Sequence, residues 1–475
     1  MFNKVLLVFF IALLGACASL PDNNQQVPSY TVEVAKTAAT RLGQAVALHK
    51  KKYNQEHAAT GQSGVYLLAS GHDAFVARAV MANQADKTLD VQYYLYHRDL
   101  RGKLLMAKLL DAADRGVRVR LLVDDMDLAD RDLGIAMSDA HENFEIRIWN
   151  PFARNRNRTA QLVTRFGSVT RRMHNKSFTA DNQVTIIGGR NIGNEYFGAD
   201  PDVAFGDLDA ILIGDVVNEV SASFDLYWNH KLAYPITSLY PNLLDQQQSK
   251  ARRKAFDAYI ETQKTSEYAQ ILANSSLAEK LLQKNLKYEW GRAAIYVDSP
   301  DKTEADRDQI DLHLLSQLGP HLRQTKKELL VVSPYFVPGT VGTKQLTDMV
   351  ARGIEVKILT NSLASNDVEV VHAGYSKYRK DLLKGGVQLY EMSATLKGME
   401  GPSKKSLGLS KSSLHAKYFA IDREKAFIGS LNLDPRSVIE NTEIGVMIYD
   451  GVISRQLAES FDENIMDIAY KLGSS

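Results

Sequence analysis

"RRMHNKSFTADNQVTIIGGRN" at residues 171–191 returns as "SSLHAKYFAIDREKAFIGSLN" at residues 412–432, and this echo decides the fold. His174, Lys176, Asp181, Gly188 and Asn191 recur as His415, Lys417, Asp422, Gly429 and Asn432, each displaced by 241 with no slip in register. The echo extends upstream. "AADRGVRVRLLVDD" (112–125) pairs with "MVARGIEVKILTNS" (349–362) at an offset of 237, "EIRIWN" (145–150) with "GVQLYE" (386–391) at 241, and "KTLDVQYYLY" (87–96) with "KELLVVSPYFVPG" (327–339) by pattern. A self-similarity of this length means two repeated domains. Chance placement of Lys and Asp at fixed offsets from a His yields roughly 0.05 matches in such a chain, so two in register are not accidental.

Each copy reads as strands alternating with helices. β-rich runs such as "LDVQYYLY" and "VRVRLLV" flank "GKLLMAKLLDAADRG", whose apolar residues fall three and four apart before a closing Gly. That alternation predicts an α/β architecture: two tandem domains related by a pseudo-twofold, each a mixed sheet flanked by helices. The expected division is a first domain over 36–245, a helical connector over 246–292 and a second domain over 293–475. The connector is polar and helix-prone, with a lid or partner-binding arm as the alternative reading.

Around the repeat, composition bounds the function. Of 475 residues, 45% are apolar, and 57 Lys and Arg balance 56 Asp and Glu. This leaves no overall field to draw in a polyanion, so no nucleic-acid partner is expected. At the N-terminus, Lys4 precedes ten apolar residues, Val5–Leu14, too short a run to span a bilayer. Leu14-Gly15-Ala16-Cys17 looks like a bacterial lipobox, which implies a signal peptide over 1–16, lipidation of Cys17 and a tether over 17–35. Cys17 is the only cysteine, so the mature chain forms no internal disulfide. The expected place is the bacterial cell envelope, lipid-anchored at a membrane surface, with Ala18 after the cysteine pointing to the outer membrane facing the periplasm.

The repeated segment carries chemistry. "KSFTAD" and "VTIIGG", like their second copies, read as two short strands joined by a polar turn, and residues two apart on a strand share a face. His174 therefore projects with Lys176, and His415 with Lys417. The Gly pairs admit close backbone approach. Asn191 and Asn432, with Ser430 of the second Gly-Ser step, are candidates to hold phosphate oxygens. Asp181 and Asp422 complete the catalytic motifs, with an expected role of tying each segment down.

Two His, two Lys and two Asn brought together suit a phosphodiester. One neutral His attacks phosphorus while the other protonates the leaving alcohol and later takes a proton from water or an incoming alcohol. An ammonium ~4 Å from an oxyanion contributes roughly 4 kcal/mol at an effective dielectric of 20, so two of them can do the work of a divalent cation. No metal or other cofactor is expected, since a cation beside each His would repel a metal. Beyond each segment stand Asp207 and Glu443, placed to orient a His through its far ring nitrogen; Asp209 competes for the first role and plain surface charge is the alternative. Tyr93, Tyr94, Tyr96, Tyr335 and Phe336 are candidates for a lipid-facing cleft or for core. The basic run "RNRNR" (154–158), Arg165, Arg171, Arg172 and the loop "KKSLGLSK" (404–411) are candidates to hold anionic headgroups or are solvated loops.

His-x-Lys-x4-Asp twice, with Gly-Gly-x-Asn and Gly-Ser-x-Asn, resembles the phospholipase D superfamily over about residues 60–470. "VSPYFVPG", "RRMHNKSF", "GGRN" and "LNLDPRS" look most like its bacterial cardiolipin synthase branch, particularly the type C synthases. The resemblance implies a site between two α/β domains, His174 as nucleophile, His415 as general acid, Lys176, Asn191, Lys417 and Asn432 around the phosphate, and Asp207 and Glu443 as carboxylate partners. It also implies membrane phospholipid substrates such as phosphatidylglycerol and phosphatidylethanolamine. The lipobox departs from that branch and bears on the acceptor, not the chemistry. The leading expectation is transfer of a phosphatidyl group to phosphatidylglycerol. The alternatives are a hydrolytic phospholipase D releasing phosphatidic acid, a nuclease, which balanced charge disfavours, and a non-catalytic envelope lipoprotein, which complete motifs disfavour. A protein partner is left open.

Overall fold

The computed structural model describes residues 20–23, 26–57, 62–128, 140–154, 157–198, 205–240, 246–265, 274–366, 369–393 and 413–473. Cys17, Asn155, Arg156 and the loop 404–411 lie outside them.

The strands are β1 (Ser63–Leu68), β2 (Thr88–Tyr93), β3 (Arg118–Asp124), β4 (Phe144–Trp149), β5 (Ser177–Ala180), β6 (Val184–Gly188), β7 (Phe205–Gly206), β8 (Asp209–Gly214), β9 (Ala233–Pro235), β10 (Glu289–Gly291), β11 (Ala293–Val297), β12 (Glu328–Val332), β13 (Glu355–Asn361), β14 (Gln388–Met392), β15 (Ser413–Leu414), β16 (Tyr418–Ile421), β17 (Lys425–Gly429), β18 (Ile444–Ile448) and β19 (Ala469–Lys471). They form a nine-stranded sheet in the order β10-β1-β8-β6-β5-β2-β3-β4-β9, an eight-stranded sheet in the order β11-β18-β17-β16-β12-β13-β14-β19, and the pair β15-β7.

Each large sheet has a parallel run, β2-β3-β4 or β12-β13-β14, joined to an antiparallel hairpin, β5-β6 or β16-β17. Parallel neighbours need a crossover, which a helix supplies between β2 and β3, β12 and β13, and β13 and β14. Helices α1 (Gly71–Gln84) and α2 (Leu100–Asp114) flank the first run, and their N-termini are closed by Ser70 and Asp99 accepting the backbone N–H of Asp73 and Gly102. The buried strand β12 reads ELLVV, as expected of a strand covered on both faces, whereas β2 reads TLDVQY and buries the polar Asp90 and Gln92.

The halves share a core. Ile187, Leu208, Ala210, Leu212 and Val216 of the first pack in one cluster with Leu330, Tyr418, Ile428, Val446 and Leu457 of the second. The stretch expected as a connector is built into the first half: β10 pairs with β1, and Phe256 and Ile260 of the helix Gln246–Thr262 pack against its core. So is much of the expected tether. Ser29 accepts from Trp228 Nε1 at 2.9 Å, and Thr31 N donates to Asp225 at 2.8 Å.

Candidate active site

The two His-bearing segments do not continue their own sheets. His174 and Lys176 lie just before β5, and His415 and Lys417 just before β16, where the backbone crosses to the opposite half. His174 N donates to Thr442 O (2.8 Å) and Thr442 N to Arg172 O (3.0 Å); reciprocally, His415 N donates to Gly206 O (2.7 Å) and β15 runs parallel to β7. The residues after Thr442 and Gly206 are Glu443 and Asp207. Each carboxylate is thus delivered to the other half's histidine: His174 Nδ1 meets Glu443 Oε2 at 2.8 Å, and His415 Nδ1 is hydrogen-bonded to Asp207 Oδ2. With Nδ1 held, chemistry at either ring runs through Nε2.

The two histidines, the two carboxylates, Lys176 and Lys417 are all buried, the imidazoles retaining only 8% and 7% exposure. Lys176 Nζ donates to His174 O at 2.7 Å, and Lys417 Nζ donates to His415 O and lies 3.0 Å from His415 Nδ1. Burial, then Lys176 and Lys417, hold His174 well below the ordinary imidazole range. Burial and Lys417 lower His415 also, against the opposing pull of Asp207. Burial brings Lys176 down to about 7 and pushes Glu443 up to about 7. At Asp207 burial pushes up, but His415 and Lys417 outweigh it and hold the carboxyl below its usual range. The Glu443 dyad therefore resists charge separation and keeps His174 neutral, while Asp207 is a full anion beside His415. The two dyads are therefore electrostatically unequal.

Several expectations need correction. Ser430 does not face a phosphate: its hydroxyl donates to Glu443 Oε2, and the Ser437 hydroxyl donates to Glu443 Oε1. Asn191 is engaged by Leu95 N (3.3 Å) and by the Tyr196 hydroxyl (2.9 Å). Asn432 is different, its backbone N–H donating to Ser437 Oγ while its carboxamide oxygen is buried with no partner among the described residues. Asp181 and Asp422 stand at the far end of their strands with φ of 53° and 54°, accepting three successive backbone N–H groups, of Asp86, Lys87 and Thr88 or of Lys326, Lys327 and Glu328. They clamp the hairpin turns, the tie-down role their position implies, and touch no reacting group, so only their place in the catalytic set is corrected. Asp209 is spent on Arg78 at 2.9 Å and Arg190 at 3.4 Å, and is not a histidine partner.

The aromatic and basic candidates sort by burial. Tyr93 accepts from Arg78, Tyr96 donates to Gly102 O, and Phe336 is buried, so these three are core. Tyr94 is half-buried and meets the His174 ring edge-on at 4.9 Å; Tyr335 is half-buried. Arg154 pairs with Asp125, Arg158 donates to Asp125 O, Arg165 to Gln161, Arg171 to Glu440 and Ala305 O, and Arg172 to Asp124 and Asn150 O. These cations fasten loops and the junction of the halves; they are not a headgroup patch.

Tyr196 and Ser437 escaped the sequence reading. Tyr196 packs edge-on to His415 at 5.2 Å, as Tyr94 does to His174. The two residues are separated by 241, the offset of the motif, and that register was the signal. Gly189 and Ser430 share it too. A Cβ at 189 would stand 2.2 Å from Asp207 Oδ1, so glycine admits the carboxylate there, whereas at 430 a side chain fits and binds Glu443. Among the described residues, His97, Asp99 and Glu195 bring metal-type donors within 4.8 Å of one another. Their bonds to each other and to the fold, His97 to Glu195 at 2.9 Å and Asp99 to Gly102 N and Asn194 N, give them a structural use.

The profile of a family described as cardiolipin synthase, PLD-like domain, matches residues 80–228 and 318–465. Cardiolipin synthase C of Escherichia coli is 39% identical over 413 residues, 87% of each chain. An uncharacterized protein of Helicobacter pylori is 32% identical, covering 96% of this chain and 88% of its own. Among solved structures, phosphatidylserine synthase of Haemophilus influenzae superposes with a TM-score of 0.58 at 13% identity, over 89% of this chain and 92% of that one, a likeness of fold.

Proposed function

The chain belongs to the cardiolipin synthase branch of the phospholipase D superfamily, and from that membership we propose that it transfers a phosphatidyl group from one membrane glycerophospholipid to the hydroxyl of phosphatidylglycerol. The observation that carries the reading is the crossed pair of dyads, His174 with Glu443 and His415 with Asp207, beside Lys176 and Lys417. In the first step His174 Nε2 bonds to phosphorus, the ester P–O bond breaks, and the proton of His415 Nε2 passes to the departing alkoxide. In the second, His415 Nε2 takes the proton of the acceptor hydroxyl, its oxygen bonds to phosphorus, and the P–N bond breaks. Asp207, fully anionic, supports His415 as imidazolium; Glu443 steadies the charge that develops on the phosphorylated His174 ring. Lys176 and Lys417 face the equatorial oxygens.

Leu14-Gly15-Ala16-Cys17 supports a second part of the proposal, a lipidated cysteine holding the enzyme at the outer membrane facing the periplasm. No helix of the described residues is long and apolar enough to cross a membrane. The test of the chemistry is incubation of the full chain with labelled phosphatidylglycerol, alone and with phosphatidylethanolamine. Cardiolipin is the expected product. Phosphatidic acid alone would make the enzyme a hydrolase, and neither product, alongside DNA cleavage, would overturn the lipid reading.

A further inference from the structure

The pseudo-twofold fails around the two histidines, and the failures share a direction. At the motif offset of 241, Gly189 becomes Ser430, Glu195 becomes Arg436 and Tyr196 becomes Ser437. Ile192 and Leu433, also 241 apart, make matching bridges to Tyr96 and Phe336 just before this turn. Glu195 is half-buried and occupied by His97 at 2.9 Å. Arg436 is exposed, and among the described residues its guanidinium makes no hydrogen bond or ion pair, its nearest acid in sequence being Asp434, which feels its charge but spends its carboxylate on backbone N–H groups. The acid nearest in sequence on its far side, Glu440, is taken by Arg171 (3.1 Å) and Arg307 (2.5 Å).

The backbone that carries Arg436 is fixed. Asp434 Oδ1 accepts Ser437 N at 2.9 Å, Asp434 O accepts Val438 N at 2.9 Å, and Arg436 O accepts Asn441 N at 2.8 Å. The next residue, Ser437, is buried against Glu443, which in turn holds His174. Arg436 is therefore a cation anchored one residue from the nucleophile's own support, with its charge close enough to act on His174.

We propose that Arg436 binds the phosphodiester of the acceptor phospholipid, making a second phosphate subsite on the His174 side of the site. This rests on the functional reading above and deepens it. The reacting phosphate is already faced by Lys176 and Lys417, and a glycerophospholipid donor carries one phosphate only. An anion met by a cation outside that set belongs to the second lipid. Arginine suits the task, since its planar fork pairs two phosphate oxygens at once. Water and small neutral alcohols carry no such group, so the subsite favours lipid-to-lipid transfer over hydrolysis.

The experiment compares two acceptors that intercept one phosphohistidine. Mixed micelles of phosphatidylglycerol are supplied with tritiated glycerol. Transfer to phosphatidylglycerol is read as cardiolipin, and transfer to glycerol as labelled phosphatidylglycerol. Arg436→Ala lowers the ratio of cardiolipin to glycerol exchange about tenfold, the loss of one charge-assisted contact, and Arg436→Lys recovers part of it. An equal fall in both products would place Arg436 on the donor or on His174 and overturn the proposal, as would an unchanged ratio. Absence of both products from the unaltered enzyme would instead sink the functional reading itself.

Discussion

His174 and Glu443 are 269 residues apart, lie in opposite halves of the chain and meet at 2.8 Å, and His415 and Asp207 repeat the exchange from the other side. Neither half holds a complete dyad alone. The backbone pairings of Arg172 and His174 with Thr442 and of β15 with β7 are what deliver each acid, so catalysis and the junction of the halves are one structure.

The division of labour between the histidines separates with a good leaving group. A p-nitrophenyl phosphodiester needs no general acid, so His415→Ala still forms a trappable phosphoenzyme and releases nitrophenolate in a burst. Lipid turnover by that variant falls on the order of 10³-fold. His174→Ala gives neither burst nor lipid product. A burst from His174→Ala and none from His415→Ala would reverse the assignment.

The hydroxyls on Glu443 steady the His174 ring. Ser437→Ala is expected to lower kcat about tenfold with little change in KM, ~1.5 kcal/mol for a hydrogen bond to a charged group. Ser437→Thr keeps the hydroxyl and most of the rate. A loss carried by KM would place Ser437 in substrate binding.

The pH dependence of kcat/KM is bell-shaped with its centre near neutrality. Glu443, raised to about 7, loses its anion as pH falls, and Lys176, lowered to about 7, loses its cation as pH rises. The residual activity of Glu443→Gln lacks the acid limb. A flat profile between pH 6 and 8 would contradict both shifts.

Lys176 costs stability for the sake of chemistry. Its folded pKa lies below the unfolded value of 10.5, so the uncharged form is favoured by folding; that stability is complete above 10.5 and lost as pH falls through about 7. Lys176→Met removes the buried charge. The variant should be inactive toward lipid yet melt about 2–4 °C higher at pH 6.5, measured by calorimetry. A lower melting temperature would show that the hydrogen bond to His174 O outweighs desolvation.

Asp181→Ala leaves three buried or half-buried N–H groups without an acceptor. The expected cost is about 1–3 kcal/mol of stability, seen as a lower denaturation midpoint, with kcat per folded molecule unchanged. A drop in kcat at full folding would put Asp181 in the chemistry after all.

Much of the fold and site could be read along the chain, because repetition is a one-dimensional property. The 241-residue register exposed both motifs, the α/β alternation and the turn-clamping role of Asp181 and Asp422, whose place after a short strand dictates a local task. Where the reading failed, the side chain's fate depended on what packed against it. Ser430 reads as a phosphate-binding residue until Glu443, just ahead of β18, takes its hydroxyl; Arg171 reads as a headgroup ligand until Glu440 and Ala305 O of the second half take it, and Arg172 until Asp124 and Asn150 O of its own half do.

By itself, then, the sequence determined that the His, Lys and Asn residues come in two sets in one register, since types and spacings are written residue by residue. Only the tertiary structure decided which acid serves which histidine. It also decided that the two sets are unequal, with hydroxyls on Glu443, an aromatic ring beside His415 and an exposed cation at Arg436. Those distinctions arise where the two halves bury each other's polar groups, and burial belongs to the assembled pair.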